Sequence, residues 1–493
     1  MMQSKHTPSS IDHPTPDKDS KTSIMPHDFG DDGYSKGLSN RQVQMIAMGG
    51  AIGVGLFLGA GGRLAKAGPS LVFAYAICGI LAFFLMRALG ELVMHRPSSG
   101  SFVSYTREFF GDKWAYVVGW MYMLNWMTTG IAEITAVATY VQKWAPHLPQ
   151  WIPALIALFV VLSINLFSVK AFGEFEFWAA LLKVVALISF IVIAVGMVLF
   201  GAQVQGHTAA VSNLWRFDGG FAPNGLLPMI LVMQGVVFAY ASIEMVGTAA
   251  GEAQNPQEVM PKAIRSVIYR IVFFYIGSVL LLSMLLPYTA YKAGESPFVT
   301  VFGSMGYDWI ADAMNVVVLT AALSSCNSGL YTTGRVLRSL AAAGEAPKFT
   351  LLMSKTHVPY GGILLTASVY LLGVILNYYL PHAAFEIALE TAAVGIVWTW
   401  GTIFACQIAL RRKINQGQLP ATSFPMPGAP FTSWLGLAML AVIVGIMWTD
   451  EFNRTVMLWS SLYIVALIIG WFMVKKHKAR LHANNPSATE IEF

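Results

Sequence analysis

Long apolar runs separated by short polar segments repeat along this chain from about residue 42 to residue 474. Most are near 20 residues, the length an α-helix needs to cross the hydrocarbon core of a bilayer. The runs are continuous instead of alternating, which excludes the strands of a membrane β-barrel. The pattern predicts an all-α polytopic membrane protein with twelve spans, at about 42–64, 69–93, 114–143, 151–169, 177–201, 226–250, 268–288, 310–341, 359–380, 384–410, 431–449 and 455–474. Residues 1–40 are polar and lack the apolar core of a secretory signal. They are expected to be a disordered tail, and the stretch from Lys475 reads similarly.

Composition agrees. Of 493 residues 12% are charged and 56% hydrophobic, against about 25% charged in soluble domains. The net charge of +5 is no nucleic-acid signature. Its distribution says more: with the N-terminus inside, Lys and Arg outnumber those of the opposite loops about fourfold, which predicts both termini in the cytoplasm. Trp114, Trp144, Trp151, Trp434 and Trp448 fall near span ends, as interfacial anchors should. Cys78, Cys326 and Cys406 lie inside apolar runs and form no CxxC, so neither a disulfide framework nor a metal site is supported. The histidines, including His95, His147, His207, His357 and His382, stay in tails, loops or span edges. No Walker A sequence is present, so ATP is not the direct energy source and no cofactor is implied.

Two spans should be broken. The first holds Gly49, Gly50, Gly53, Gly55 and Gly59 within eleven residues, and each interior glycine costs a helix about 1 kcal/mol. The sixth begins near Pro228 and carries Gly235, Ser242, Glu244 and Gly247. Broken helices in corresponding positions of two halves point to an inverted-repeat transporter with a site at the midplane; a small-residue packing face is the alternative. Unwinding at Ile52-Gly53-Val54-Gly55 would free backbone N–H groups at the start of a half-helix, which suit a carboxylate. Unwinding at Phe238-Ala239-Tyr240-Ala241-Ser242 would free carbonyls, which suit an ammonium group. Together they describe a zwitterionic α-amino acid.

Ionisable residues inside spans mark function by default. Glu133, Lys183 and Glu244 are the deep candidates. Lys183 lies about six residues past the predicted start of its span, where snorkelling is the alternative to proton coupling; Ser324 and Ser325 are candidate partners. Glu386 and Glu390 line a vestibule or reach water, and Arg87 with Glu91, spaced i,i+4, reads as a structural ion pair.

Several stretches carry a family resemblance: Asn40 to Ala47, Arg87 to Leu92, Phe175 to Trp178 ahead of Lys183, Ile243 to Gly247, and Ser325 to Tyr331. From about Leu38 to Lys476 the chain resembles bacterial amino acid permeases of the amino acid–polyamine–organocation superfamily. His95 to Tyr105 and Gly247 to Glu252 are especially similar to L-asparagine permeases. The resemblance implies two inverted five-helix repeats, 41–203 and 226–411, then two extra helices within 431–474 and a cytoplasmic tail at 475–493. It implies an importer in the bacterial cytoplasmic membrane that takes an amino acid, favoured L-asparagine, together with protons. The carboxylate would sit at Gly53, Val54 and Gly55 and the amine at the carbonyls around Phe238 to Ala241. Phe238 would be an aromatic gate, and Lys183 would stand where other carriers hold sodium. Glu390 and the two serines are candidates for specificity. Relatives often have glycine where this chain has Ala241-Ser242. An exchanger, a permease for another small or polar amino acid, or a non-transporting sensor on the same fold are the competing readings. An intramembrane enzyme lacks a catalytic cluster.

Overall fold

The computed structural model describes residues 41, 42, 45, 52–98, 100–217, 219–250, 255–306, 308–381 and 383–484. The N-terminal tail, Gly49, Gly50, Glu252 and His382 lie outside that set.

Apolar composition dictates helices here, because a bilayer forces every backbone polar group to be satisfied within its own segment. The chain begins its described helical part with α1 (Val54–Phe57), α2 (Gly59–Ala67) and α3 (Leu71–His95). A short α4 (Ser101–Phe110) precedes α5 (Asp112–Gln142), α6 (Trp151–Phe167) and α7 (Val169–Phe200). Gly201, in the left-handed conformation, ends α7. A two-stranded antiparallel ribbon follows, with β1 (Gln203–Val204) paired to β2 (His207–Thr208).

The sixth predicted span is realised as α8 (Leu226–Leu231), α9 (Met233–Ala239) and α10 (Met245–Ala250). Next come α11 (Pro256–Arg270), a π-helical stretch over Ile271–Gly277, and α12 (Ser278–Leu285). The remaining helices are α13 (Pro297–Gly303), α14 (Asp308–Ala342), α15 (Tyr360–Tyr379), α16 (Ala384–Asn415), α17 (Phe431–Met447) and α18 (Glu451–Asn484). Among the described residues, seven helical runs are long and apolar enough to cross a membrane.

Several boundaries differ from expectation; the helical run of the seventh span, predicted at 268–288, already begins at Pro256, and α16 continues to Asn415. Helix α7 starts eight residues before the predicted 177, because Ser168 caps it by accepting from Ala171 N–H. Helix α18 runs to Asn484, beyond the predicted end at 474. Helices α4 and α13 were not predicted, being too short for the apolar pattern.

The inner layer centres on α5, against which α14 and α16 both pack extensively. Nearly all of α14 from Ala321 to Leu337 is buried, polar residues included. Helices α7 and α18 turn large apolar side chains outward, among them Val192, Leu199, Phe200, Trp459 and Phe472, as lipid-facing helices do. Trp114, Trp144, Trp434 and Trp448 are exposed at or near helix ends.

Candidate functional site

The two glycine-rich segments meet. Gly53 is extended (φ −122°, ψ −164°) and starts α1, so the first N–H groups of that helix have no intrahelical acceptor. Helix α9 ends at Ala239, and residues 240–244 form a turn before α10. Ser242 in that turn has φ +74°. This is the left-handed region that glycine enters without strain, which explains why glycine suits the position that Ser242 occupies here.

The contact between the segments is tight. A Cβ added to Gly55 would come within 2.6 Å of Ala239 Cα and 3.0 Å of the Phe238 ring. Between the segments lies a cavity lined by Gly53, Gly55, Thr129, Glu133, Phe238, Ala239, Ala241, Ser242 and Ser325. Its volume of about 10 Å³ suits no more than one ordered water, so a larger ligand fits only when the walls part.

Ile52, Gly53, Val54 and Gly55 are fully buried, with Gly53 and Gly55 on the cavity wall. On the other wall, Phe238 O accepts from Ala241 N–H at 3.0 Å. Ser242, Ile243 and Glu244 carbonyls accept from Met245, Val246 and Gly247. Ala239, Tyr240 and Ala241 then offer the carbonyls without a backbone partner among the described residues. The Tyr240 side chain points away: its hydroxyl donates to Tyr75 O at 2.9 Å and its ring stacks on Tyr275.

The deep ionisable residues surround this cavity unequally. Glu133 Oε1 and Ser325 Oγ both lie against Gly53, and Glu133 Oε2 is buried without a hydrogen-bond partner among the described residues. Glu244 follows the α9 break; Trp400 Nε1 approaches its Oε2 at 3.5 Å, and its Oε1 is likewise unpartnered. Lys183 is fully buried and donates to Ser324 Oγ at 2.9 Å. Ser324 and Ser325 are neighbours on α14, about 100° apart around the helix, so one meets Lys183 and the other faces the cavity. Neither lines the vestibule.

Along α7, Lys183 is about 21 Å from Val169, where the helix starts.

Glu386 and Glu390 line a separate open cavity of about 640 Å³ with Arg63, Lys66 and Asp450. Arg63, at the end of the first predicted span, is buried, its Nη1 donating to Gly55 O at 2.8 Å. Its guanidinium occupies a slot beside Gly59 and Gly235, where a Cβ on either would come within 2.8 Å. That slot joins residues 172 positions apart (235 less 63) and has no local sequence signal.

Two further corrections concern carboxylates. Glu91 does not take Arg87 as its ion-pair partner. It pairs with Arg411 at 2.8 Å and accepts from Gln407, Thr422 and Met426 N–H, while Arg87 stacks on Phe424 and donates to Pro425 O. Glu176, quoted only within a family-like stretch, is buried in α7 beside Lys183. Its seven-residue spacing from Lys183 puts both on one helix face, a signal that the late predicted start of the span concealed. Among the described residues no cluster of His, Cys, Asp or Glu is placed to hold a metal ion, and the three cysteines are buried free thiols.

Fold and site define a multi-pass helical membrane protein with two interrupted helices closing on a buried polar cavity. A family model described as amino acid permease matches residues 42–483, and the chain belongs to that family. It is 55% identical over 466 residues to an L-asparagine permease of Escherichia coli (strain K12), covering 94% of this chain and 93% of that protein. It is 57% identical over 448 residues to L-asparagine permease 2 of Mycobacterium tuberculosis (strain CDC 1551 / Oshkosh), covering 90% and 92%. Against an L-asparagine permease of Streptomyces coelicolor it is 52% identical over 461 residues, covering 93% and 94%. These relatives are named as transporters, not enzymes.

Proposed function

We propose that this protein imports L-asparagine across the bacterial cytoplasmic membrane by proton-coupled alternating access. The observation that carries the reading is the closed cavity where Gly53 and Gly55 meet Phe238 and Ala239. N–H groups at the start of α1 hold the α-carboxylate, and the carbonyls of Ala239, Tyr240 and Ala241 hold the α-ammonium. Phe238 closes over the ligand. The relatives' printed names favour asparagine as the substrate. The twelve spans then form two inverted five-helix repeats plus α17 and α18, with α1 and α9–α10 as the broken helices and both termini cytoplasmic.

Lys183 is the proton-coupling group in this reading, with Glu133 and Glu244 as further titratable sites. Lys183 occupies a buried position from which its ammonium bridges α7 to α14. One proton moving down about 100 mV supplies about 2.3 kcal/mol, enough to concentrate substrate about 50-fold at 1.36 kcal/mol per decade.

The test is uptake of labelled asparagine into proteoliposomes. An inward proton gradient should drive accumulation, and asparagine lacking its α-amine or amidated at its α-carboxyl should compete poorly. Each missing group leaves a buried partner unpaired, at about 1–3 kcal/mol. Equal uptake with and without the gradient would remove proton coupling, and equal competition by the analogues would remove the zwitterion site.

A further inference from the structure

Beside Lys183 the fold buries a second charge that the transport reading leaves without a task. Glu176 and Lys183 lie on one face of α7, two turns apart, and neither is more than 1% exposed. Ser324 reaches between them from α14. Lys183 Nζ donates to Ser324 Oγ at 2.9 Å, and Ser324 Oγ donates to Glu176 Oε2 at 2.6 Å. The other carboxylate oxygen is fixed by Asn327 Nδ2 at 2.7 Å, and Asn165 of α6 in turn donates to Asn327. The hydroxyl is therefore held to accept from one charge and donate to the other. Both gaps fall within the roughly 2.6–3.2 Å range in which positioned groups exchange protons.

We propose that Glu176 is the acceptor of the Lys183 proton, with Ser324 as the relay. The ammonium of Lys183 passes one proton to Ser324 Oγ as the Ser324 hydroxyl proton moves to Glu176 Oε2. A neutral amine and a neutral carboxyl result, and the serine is unchanged. Glu176 is nearer than Lys183 to the Val169 end of α7, the end that the proposed orientation places on the cytoplasmic side, so the transfer carries the proton inward. Neutralising a buried lysine alone would need no hydroxyl between the charges.

Other titratable groups near the pair are few. Glu133 on α5 lies within electrostatic reach of Lys183, and Cys326 on α14 within reach of Glu133 and Glu176. Farther along α14, Tyr331 stacks on Phe172 of α7 and carries Arg335 on its ring. The π-helical stretch contributes Tyr275, stacked on Tyr240. Helices α6 and α12, also packed on α7, contain no titratable side chain. Ser325, the next residue after the relay, lines the substrate cavity, so movement of α14 is felt at both places.

The inference rests on the proton-coupled reading, and one assay separates the two. Protons and labelled asparagine are counted together in proteoliposomes loaded with a pH-sensitive dye. Glu176→Gln and Ser324→Ala should each lower the proton-to-asparagine ratio at least about tenfold, and Glu176→Asp should restore part of it. A merely structural role for Glu176 would lower both fluxes together and leave the ratio intact. If Lys183→Ala keeps the wild-type ratio, the coupling role of Lys183 fails. If Lys183→Ala loses the ratio while Ser324→Ala and Glu176→Gln keep it, the relay alone is overturned. Should Glu176→Gln fail to assemble, Ser324→Ala, which removes a single oxygen, decides the matter.

Discussion

At one end of the bundle, Arg63, Lys66, Glu386, Glu390 and Asp450 surround a cavity of about 640 Å³, and Glu390 Oε2 has no hydrogen-bond partner among the described residues. At the other end, carboxylates are clasped. Glu345, with a fully buried side chain, receives both Arg107 nitrogens at 2.7 Å and Lys478 at 3.2 Å, which ties α4 and α18 to the segment after α14. Glu91 is held by Arg411 and three hydrogen bonds, and Glu108 by His95 and Arg96. The contrast teaches how a carrier can be open on one side while sealed on the other. Room surrounds the carboxylates at one end, and basic side chains pair with them at the other.

The largest expected effect is on the sealed side. Glu91→Ala strands Arg411, Gln407 and the Met426 N–H in a buried pocket. Removing one partner of a buried pair costs about 3–5 kcal/mol, so the variant should melt far below wild type in detergent or fail to assemble. A melting temperature within a few degrees of wild type would show that the clasp is not holding the closed end. Gly55→Val should come next. Its Cβ meets the Ala239 backbone, so uptake should fall at least about 100-fold, equivalent to about 2.7 kcal/mol. Wild-type transport in that variant would remove the tight contact from the mechanism.

On the open side the effects should be small. Glu390→Gln removes a buried carboxylate oxygen that has no hydrogen-bond partner among the described residues, so it should not destabilise the protein. A loss like that of Glu91→Ala would erase the contrast. A modest effect is also expected on the sealed side, at Glu108. Partial burial favours its neutral form, but the hydrogen bonds and charges of His95 and Arg96 outweigh this and hold its carboxyl below the usual range. Its contribution is therefore complete above the unfolded carboxyl value of about 4.3 and is lost as pH falls through the lower folded value. Glu108→Gln should cost under about 1 kcal/mol near neutral pH and nothing below the folded value. Melting curves of both proteins across that range would show whether the gap closes.

The sequence exposes the groups that violate a local expectation. Lys183, Glu133 and Glu244 stand out because a charge within an apolar run is costly, and the glycines around Gly53 mark the interruption of α1. What it conceals is set by tertiary contact. Arg63 sits at a span end like any loop cation, and the glycine slot that buries it joins two distant helices. Glu176 falls outside the apolar run because α7 starts at Val169. Glu91 has a cation one turn away, yet its partner is Arg411, supplied by α16. Ser242 reads as a polar oddity until its positive φ shows why the position favours glycine.

The central claim is that the amino acid binds in the closed cavity between α1 and α9. Gly53→Ala tests it most directly, because the added methyl would meet Glu133 Oε1 at 3.4 Å and Ser325 Oγ at 3.7 Å. Those are ordinary contacts, so the fold should tolerate the change while the cavity is filled. Equilibrium binding of labelled L-asparagine to the purified variant should weaken at least about tenfold, or 1.4 kcal/mol, with helical content and melting temperature unchanged. Binding as tight as wild type in a folded Gly53→Ala protein would contradict the account and place the amino acid elsewhere.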